Sequence, residues 1–404
     1  MQRQGSVAVV FGTRPEIVKL AGVVQALGER CQAIWTGQHY DETLAGDIFR
    51  GLGLPDPQVR LAGVGGLDRG RQIGAVITEL SQRFAVARPD VVIVQGDTNS
   101  TSAGAQAAHY HGVPVVHVEA GLRSRDRAMP EEINRQVVGV LADVHCAPTE
   151  EAVRNLLAEG VPAHRVHLTG NTVVEAVHLS LPAPELARSL PRRYGLRPGG
   201  YVLATIHRPE NTDDPERMAR ILHELGALSI PVLFPAHPRT VRACERHGLG
   251  RELAALGVVP PVDHASFLGL AQHAALLVSD SGGVQEECTV LKKPLIVVRN
   301  STERPEAVES GFAALVRPGP LIGTTARRLL GDPDLPRRLA ARPSPYGDGR
   351  ASGRIVALAI ALADRAGAGH TGTGHTGPAL AADPIKPPEP RLAGQREPQP
   401  TVHV

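Results

Sequence analysis

Short apolar runs rich in valine and isoleucine recur along the chain, and each is followed by a polar or glycine-rich turn and a helix-like stretch. Such alternation is typical of βαβ units and of a parallel sheet that is buried on both faces. The candidate strands are residues 7–11, 33–36, 91–95, 113–118, 144–147, 166–169, 201–205, 232–236, 257–262, 276–279, 295–299 and 313–316. This pattern predicts an α/β chain with two doubly wound, Rossmann-like sheets.

The chain divides best at a stretch rich in proline and arginine, residues 174–198, after which a fresh strand begins. With 404 residues, each half is long enough to bury a core of its own. We predict one Rossmann-like domain over residues 1–173, a second over residues 174–343, and a closing helix within residues 344–366. Residues 367–404 contain a GHTGTGHTG repeat and many prolines, so we predict a disordered tail there.

Charge and cysteine content exclude several classes of protein. The formal net charge of +2 gives no field that favours nucleic acid or an anionic membrane surface. The cysteines are scattered without CxxC spacing, so we expect buried, reduced thiols and no metal site. A strand-like run begins where a signal peptide would lie, and no apolar stretch is long enough to cross a bilayer. We therefore expect a cytoplasmic protein.

Cationic residues follow the first candidate strand, at the sheet edge where doubly wound folds bind their ligands. Gly12 permits a tight turn, Pro15 suits the first turn of a helix, and Arg14 and Lys19 flank that helix start. This arrangement predicts an anion site, although it lacks the spacing of a Walker loop. The alternative is an ordinary helix start with two solvated cations.

Three carboxylates are expected at the same edge of the first sheet. Asp97 and Glu119 each follow a candidate strand beside a glycine, and Glu131 lies at a probable helix start. Carboxylates that converge on one cleft can abstract and return a proton when their environments separate their pKa values. The alternatives are favourable charge on a helix dipole for Glu131, and caps or arginine partners for Asp97 and Glu119.

The second half offers groups for binding phosphate. His207 follows its first strand beside an arginine, where a histidine can bind phosphate or act as an acid. The run Ser281-Gly282-Gly283 follows a later strand and would present backbone N–H groups at a helix start to a pyrophosphate. Glu287, further along that helix, could accept from ribose hydroxyls, and Arg304 lies in the next loop. The alternative is an N-capped helix after a glycine turn.

Ten motifs, in order, resemble the non-hydrolysing UDP-N-acetylglucosamine (UDP-GlcNAc) 2-epimerases. They are GTRPEIVKLA, TGQH, GDTNST, HVEAGLR, PEEINR, LTGNTVVEA, HRPEN, DSGGVQEE, TERPEAV and PYGDGRAS. Any one of them is weak, but ten in order are highly specific, and the resemblance covers residues 7 to about 365. The resemblance implies a cytoplasmic homodimer whose two domains have the GT-B-type arrangement around a cleft, with the last helix returning to the first domain.

The resemblance also implies roles for individual residues. The residues that would line the UDP site are Arg14, Lys19, His207, Phe267, Ser281, Gly282, Gly283, Glu287 and Arg304. Those that would act in catalysis are Asp97, Glu119, Glu131 and His207. The implied reaction eliminates UDP across C1–C2 to give a bound 2-acetamidoglucal, then re-adds UDP with the proton on the other face. It requires no cofactor and no metal, and its product would feed cell-surface polysaccharide synthesis.

Regulation and the exact substrate are the points that remain open at this stage. Gln38 and His39 match a loop that helps many bacterial members bind UDP-GlcNAc as an activator, but residues 64–72 do not clearly match the rest of that pattern. The linker between Glu119 and Glu131 is also shorter than in the best-known members. Four alternatives remain: a 2-epimerase of a 2,3-diacetamido uronic acid sugar, a hydrolysing relative, a GT-B glycosyltransferase and a nucleotide-sugar binding protein.

Overall fold

The computed structural model describes residues 5–38, 46 and 49–369, with two parallel sheets flanked by helices. The first sheet has seven strands in the order β3-β2-β1-β4-β5-β6-β7, all parallel. Its strands are β1 Val7–Phe11, β2 Cys31–Trp35, β3 Val59–Arg60, β4 Val91–Gln95, β5 Val115–Val118, β6 Val144–Ala147 and β7 Val166–Leu168. Its helices are α1 Arg14–Leu27, α2 Arg69–Val86, α3 Asn99–Tyr110, α4 Pro130–Leu141 and α5 Glu150–Ala158, with 3-10 turns at Gly28–Arg30 and Ala163–Arg165.

The second sheet has six parallel strands in the order β10-β9-β8-β11-β12-β13. They are β8 Val202–Thr205, β9 Val232–Pro235, β10 Gly257–Val259, β11 Leu276–Ser279, β12 Leu295–Val298 and β13 Ala313–Val316. In the sequence, the segment between the last strand of the first sheet and the first strand of the second contains α6 Val173–Ser180, α7 Pro184–Ser189 and a 3-10 turn at Pro191–Tyr194. The remaining helices are α8 Pro209–Thr212, α9 Pro215–Gly226, α10 Pro238–Arg246, α11 Gly250–Ala254, α12 His264–His273, α13 Gly282–Leu291, α14 Pro305–Glu309, α15 Leu321–Leu330, α16 Leu335–Ala341 and α17 Ala351–Gly369.

The fold class predicted from the apolar runs is confirmed. The central strands β1 and β4 are buried along their whole length, because helices cover both faces of the sheet. The prediction missed the edge strand β3, whose two residues are too few to give a periodic signal.

The proline-rich stretch that suggested a domain boundary is helical rather than extended. Pro184 begins α7 and Pro191 begins a 3-10 turn, positions where a missing N–H and a fixed φ favour a helix start. Val173, Val174 and Val177 of α6 pack into the core of the second domain. The exact domain bounds stay a prediction.

The last helix returns to the first domain. Ile355, Ala359 and Ala363 of α17 are buried in the same cluster as Phe11 and Leu20, which lie in β1 and α1. The helix extends to Gly369, three residues into the predicted tail, and residues 370–404 lie outside the described part of the chain. Within the described residues, no helix has the length and apolar character needed to cross a membrane.

Candidate active site

Both sheets have a switch point at which the chain leaves adjacent strands toward opposite faces. In the first sheet it lies between β1 and β4, and in the second between β8 and β11. A crevice opens at the carboxyl ends of such strands. Residues from these edges line two chambers, of about 250 Å³ and about 440 Å³. Arg14, His264, Ser281 and Glu287 line both chambers, which are therefore continuous.

The smaller chamber, called here the apolar chamber, is built by the second domain, and among the described residues of the first domain only Arg14 lines it. Its apolar lining residues are Ile206, Pro235, Pro261, Val262, Phe267 and Val284. The aromatic ring and the two prolines offer apolar surface that suits a planar ring.

The larger chamber, called here the ionic chamber, takes residues from both domains. Its charged lining residues are Arg14, Lys19, Asp97, Glu131, Arg135, Arg208, Glu287, Glu303 and Arg304. Cations and carboxylates converge there, partly shielded from solvent, where their fields are stronger than in bulk water.

The start of α13 lies at the junction of the chambers. Ser281 is the N-cap, yet its side chain makes no capping hydrogen bond, so the N–H groups of the first turn remain available for an anion. A Cβ added to Gly282 would lie 2.8 Å from Arg304 Nη1. Glycine at this position therefore allows the guanidinium to approach the helix start.

A buried carboxylate holds His207 at the edge of the apolar chamber. Asp280 accepts hydrogen bonds from the backbone N–H groups of His207 and Arg208, and His207 Nδ1 lies 3.2 Å from Asp280 Oδ1. Burial alone would raise the pKa of Asp280, but the contacts with His207 and the hydrogen bonds from Arg208 and Asn211 together outweigh it and hold that pKa below its usual value. Asp280 therefore stays ionised, orients the ring and leaves Nε2 for a ligand.

The loop after β1 is fixed by Glu16, a residue that the sequence analysis did not select. Its Oε2 accepts from the N–H groups of Gly12 (3.0 Å) and Thr13 (2.8 Å), and its Oε1 accepts from the Thr98 hydroxyl at 2.8 Å. Glu16 thus ties the β1–α1 loop to the β4–α3 loop. A Cβ on Gly12 would lie 2.0 Å from Ser100 Oγ, so only glycine fits there.

Lys19 connects the two domains. Its Nζ lies 2.6 Å from Glu119 Oε2 in the first domain and 2.9 Å from Glu286 Oε2 in the second. Burial lowers the pKa of Lys19, but the two carboxylates outweigh burial and raise the pKa above its usual value. The side chain is therefore an ammonium ion held between two acids.

Arg304 completes this cross-domain cluster. Its Nε lies 2.9 Å from Glu286 Oε1, its Nη1 lies 2.6 Å from Glu303 Oε1, and its Nη2 lies 3.8 Å from Glu119 Oε1. Glu119 has φ +64°, a left-handed conformation that is strained for a residue with a side chain. Burial raises the pKa of Glu119 against the attraction of Lys19. Strain and burial of this kind are concentrated at functional sites.

The helix α4 brings a second set of charges to the ionic chamber. Arg135 Nη2 lies 2.5 Å from Asp97 Oδ2, and Arg135 Nη1 lies 2.9 Å from Glu132 Oε2. Glu132 is buried and also accepts from the N–H groups of Ser124 and Arg125, so it orders the loop before α4. Glu131 remains half exposed and faces the chamber.

Comparison with known proteins agrees with this architecture. Residues 25–359 match the family model described as UDP-N-acetylglucosamine 2-epimerase. The chain belongs to that family of isomerases.

A UDP-N-acetylglucosamine 2-epimerase of Methanocaldococcus jannaschii is 36% identical over 365 residues, which cover 87% of this chain and 98% of that protein. A UDP-2,3-diacetamido-2,3-dideoxy-D-glucuronate 2-epimerase of Pseudomonas aeruginosa is also 36% identical, over 86% of this chain and 98% of that protein. The crystal structure of the M. jannaschii UDP-GlcNAc 2-epimerase with UDP-GlcNAc and UDP has a TM-score of 0.77, with 87% of this chain and 99% of that chain covered.

Most residues that the resemblance to 2-epimerases selected lie in the two chambers. Arg14, Lys19, His207, Phe267, Ser281, Gly282, Gly283, Glu287 and Arg304 line one or both, as do Asp97 and Glu131. Glu119 does not line either chamber; it lies behind Lys19 and Arg304, with a side chain that is 5% exposed. The roles of these residues stay predictions.

Gln38 lies away from both chambers. Its Oε1 accepts from the N–H and the hydroxyl of Ser100, at 2.9 Å and 2.8 Å. The side-chain amide of Gln72 donates to the backbone carbonyl of Gln38 at 3.5 Å, and Gln72 Oε1 accepts from Asn99 Nδ2 at 2.8 Å. His39 lies outside the described residues. A regulatory role for this loop in a 2-epimerase stays a prediction.

Several buried partners of the site residues were not predicted from the sequence. Arg135 carried a usable signal, because it follows Glu131 by four residues and therefore shares its helix face. Glu286 carried none, because sequence alone does not tell which of two adjacent glutamates points toward Lys19.

Proposed function

We propose that the chain catalyses the reversible 2-epimerisation of UDP-GlcNAc to UDP-N-acetylmannosamine, by elimination of UDP and its re-addition. The observation that carries the proposal is the junction: a helix start lies between an apolar chamber and a chamber lined with acids and cations. The nucleotide base fits the first, the pyrophosphate the helix start, and the sugar the second. The family membership and the UDP-GlcNAc and UDP bound by the M. jannaschii enzyme support this substrate.

Departure of UDP requires stabilisation of the charge that develops on its β-phosphate. We assign this role to Arg14, Lys19, His207 and Arg304, together with the N–H groups at the start of α13. Charges that are already fixed in place stabilise such a leaving group without reorganisation during the reaction. His207 is held by Asp280 and can protonate the departing oxygen.

Proton transfer at C2 is assigned to the carboxylates Asp97, Glu119 and Glu131. Asp97 and Glu131 line the ionic chamber, so both can approach the sugar ring there. Glu119 is covered by Lys19, so it acts on the sugar only after the lysine turns toward the phosphates. A raised pKa makes Glu119 a stronger base than an exposed glutamate once it is released.

The second candidate is a 2-epimerase of a 2,3-diacetamido uronic acid UDP-sugar. The P. aeruginosa relative with that name has the same 36% identity. The ionic chamber also holds the cations Arg135 and Arg208, which could receive a sugar carboxylate.

We infer a cytoplasmic homodimer whose product feeds cell-surface polysaccharide synthesis. The exposed apolar residues Val86, Tyr110 and Val140, at the ends of the neighbouring helices α2, α3 and α4, are a suitable surface for a second copy.

The test is incubation of the purified protein with UDP-GlcNAc in D₂O, followed by NMR. We expect a mixture with UDP-N-acetylmannosamine and deuterium at C2. Stoichiometric free UDP would indicate a hydrolysing enzyme, and tight binding without label would indicate a binding protein. A parallel incubation with the diacetamido uronic acid sugar separates the two substrates, and transfer to an added acceptor would indicate a glycosyltransferase.

A further inference from the structure

A histidine and a carboxylate form a pair where the two chambers join. His264 is the first residue of α12, Glu287 lies in α13, and His264 Nε2 is 2.9 Å from Glu287 Oε1. Both side chains line both chambers. The two helices belong to the second domain, so the pair is formed without any contribution from the first.

The position of His264 is fixed by the start of its helix. The side chain of Asp263 accepts from the N–H of Ser266 at 2.9 Å and from its hydroxyl at 2.6 Å, which caps α12. A capped first turn sets the direction in which the His264 side chain leaves the helix. The histidine is therefore a fixed donor toward Glu287.

The pairing leaves one oxygen of Glu287 available. Within the described residues, Oε1 has His264 as its partner and Oε2 makes no hydrogen bond. An ionised carboxylate accepts several hydrogen bonds, so Oε2 can accept from a ligand hydroxyl. A glutamate without such a hydrogen bond would lose side-chain conformational entropy when a ligand binds. The hydrogen bond to His264 restricts the side chain beforehand, so less entropy is lost on binding.

We propose that His264 is a specificity-determining positioning residue, which holds Glu287 so that its free oxygen accepts from ribose hydroxyls and thereby selects ribonucleotides over 2′-deoxyribonucleotides. The proposal rests on the proposed function, because it requires UDP in the cleft. A ribose placed between a base in the apolar chamber and a pyrophosphate at the start of α13 lies beside this pair. A deoxyribose would leave a desolvated carboxylate oxygen unpaired.

The test compares UDP with 2′-deoxy-UDP by calorimetry on the full chain. We expect the wild type to prefer UDP by about tenfold or more, the range for a lost hydrogen bond to a charged group. His264→Phe should lose most of this preference, and His264→Gln, which keeps a donor, should retain part of it. His223→Phe, an exposed position on α9, should keep the full preference.

A double-mutant cycle distinguishes positioning from packing. Glu287→Gln should lose the preference to the same extent as His264→Phe, and the double variant should lose no more, because the two side chains act as one unit. The inference is overturned if His264→Phe keeps the full preference, or if the wild type binds both nucleotides equally. If the wild type binds neither nucleotide, the proposed function itself fails.

Discussion

The two chambers of the cleft differ in how they are built. The second domain supplies the apolar wall of the first chamber, with its prolines and Phe267, and Arg14 of the first domain only completes its rim. The ionic chamber takes most of its charged groups from both domains, with Lys19 and Asp97 from one and Arg304 from the other. A chamber within one domain exists before a ligand arrives. A chamber shared by two domains is complete only when they meet. The molecule thus separates contact with the base from proton transfer, and the following experiments test that separation.

The largest effect is expected from Asp97→Asn. The amide keeps a hydrogen bond to Arg135 but cannot take a proton, so deuterium incorporation at C2 should fall about 10³-fold, within the range for general acid–base catalysis. UDP affinity should be nearly unchanged, because Asp97 does not line the apolar chamber. NMR and calorimetry measure the two quantities.

The matched control for that variant is Asp90→Asn, at the opposite end of β4, where the carboxylate accepts from the N–H of Ser6. It should retain activity. A collapse of UDP affinity in Asp97→Asn would show that Asp97 has a structural role, and that the two chambers are not separate.

Arg304→Ala should weaken UDP binding and also destabilise the fold. It removes the guanidinium that faces Glu286 and Glu303, whose side chains are 0% and 3% exposed. Glu286 keeps Lys19 and Glu303 keeps Arg299 as a partner, so the loss of one of two cations costs about 1.5–3 kcal/mol, and Tm should fall by roughly 5 °C. Differential scanning calorimetry measures this change.

Arg338→Ala is the matched control, because Arg338 pairs with Asp332 at 2.6 Å on the surface. Its Tm should hardly change, since exposed ion pairs contribute little. Equal Tm values for the two variants would mean that the cross-domain cluster does not contribute to stability.

Glu16→Gln tests the contacts that fix the β1–α1 loop beside the ionic chamber, through the pH dependence of the free energy of unfolding. Burial raises the pKa of Glu16 from 4.5 to about 7, so its contribution to stability is present below pH 4.5 and is lost as pH rises through 7. Glutamine does not ionise, so the variant does not lose this stability as the pH rises. The free energy of unfolding of the variant should therefore gain up to about 3 kcal/mol relative to the wild type between pH 4 and pH 8.

Urea unfolding at the two pH values measures that gain. The Thr98 hydroxyl can accept from the new amide because it can donate to Thr101 Oγ1 at 2.9 Å. Glu29→Gln, which is exposed just after α1, should show no such dependence. The opposite sign for Glu16→Gln would show that Glu16 is needed in its charged form.

The smallest effect is expected from Phe267→Ala. Removing the ring takes apolar contact from the base, so UDP and UMP should both bind about tenfold more weakly. The value of kcat should stay close to that of the wild type, because this contact is the same in the ground state and the transition state. A fall in kcat at unchanged affinity would place Phe267 in the chemistry instead.

The strands and the loops that follow them could be read from the sequence, because parallel sheets bring all carboxyl ends to one edge. The bounds of β1, β4, β6, β11 and β13 agree with the apolar runs. Lys19 and Arg304 were selected for phosphate binding, but their pairing with Glu119 and Glu286 depends on how two domains meet. Local sequence patterns do not predict how two domains pack against each other.

The chain crosses between the domains twice, once after β7 and once before α17. The two crossings touch, since the N–H of Asn171 donates to the carbonyl of Tyr346 at 2.8 Å. Because these two linker segments lie side by side and are joined by a hydrogen bond, we expect them to act as one hinge about which the domains open and close. Closure about this hinge would bring Lys19 of the first domain toward Arg304 of the second. The residues around Phe267 would keep their relative positions, because they belong to one domain.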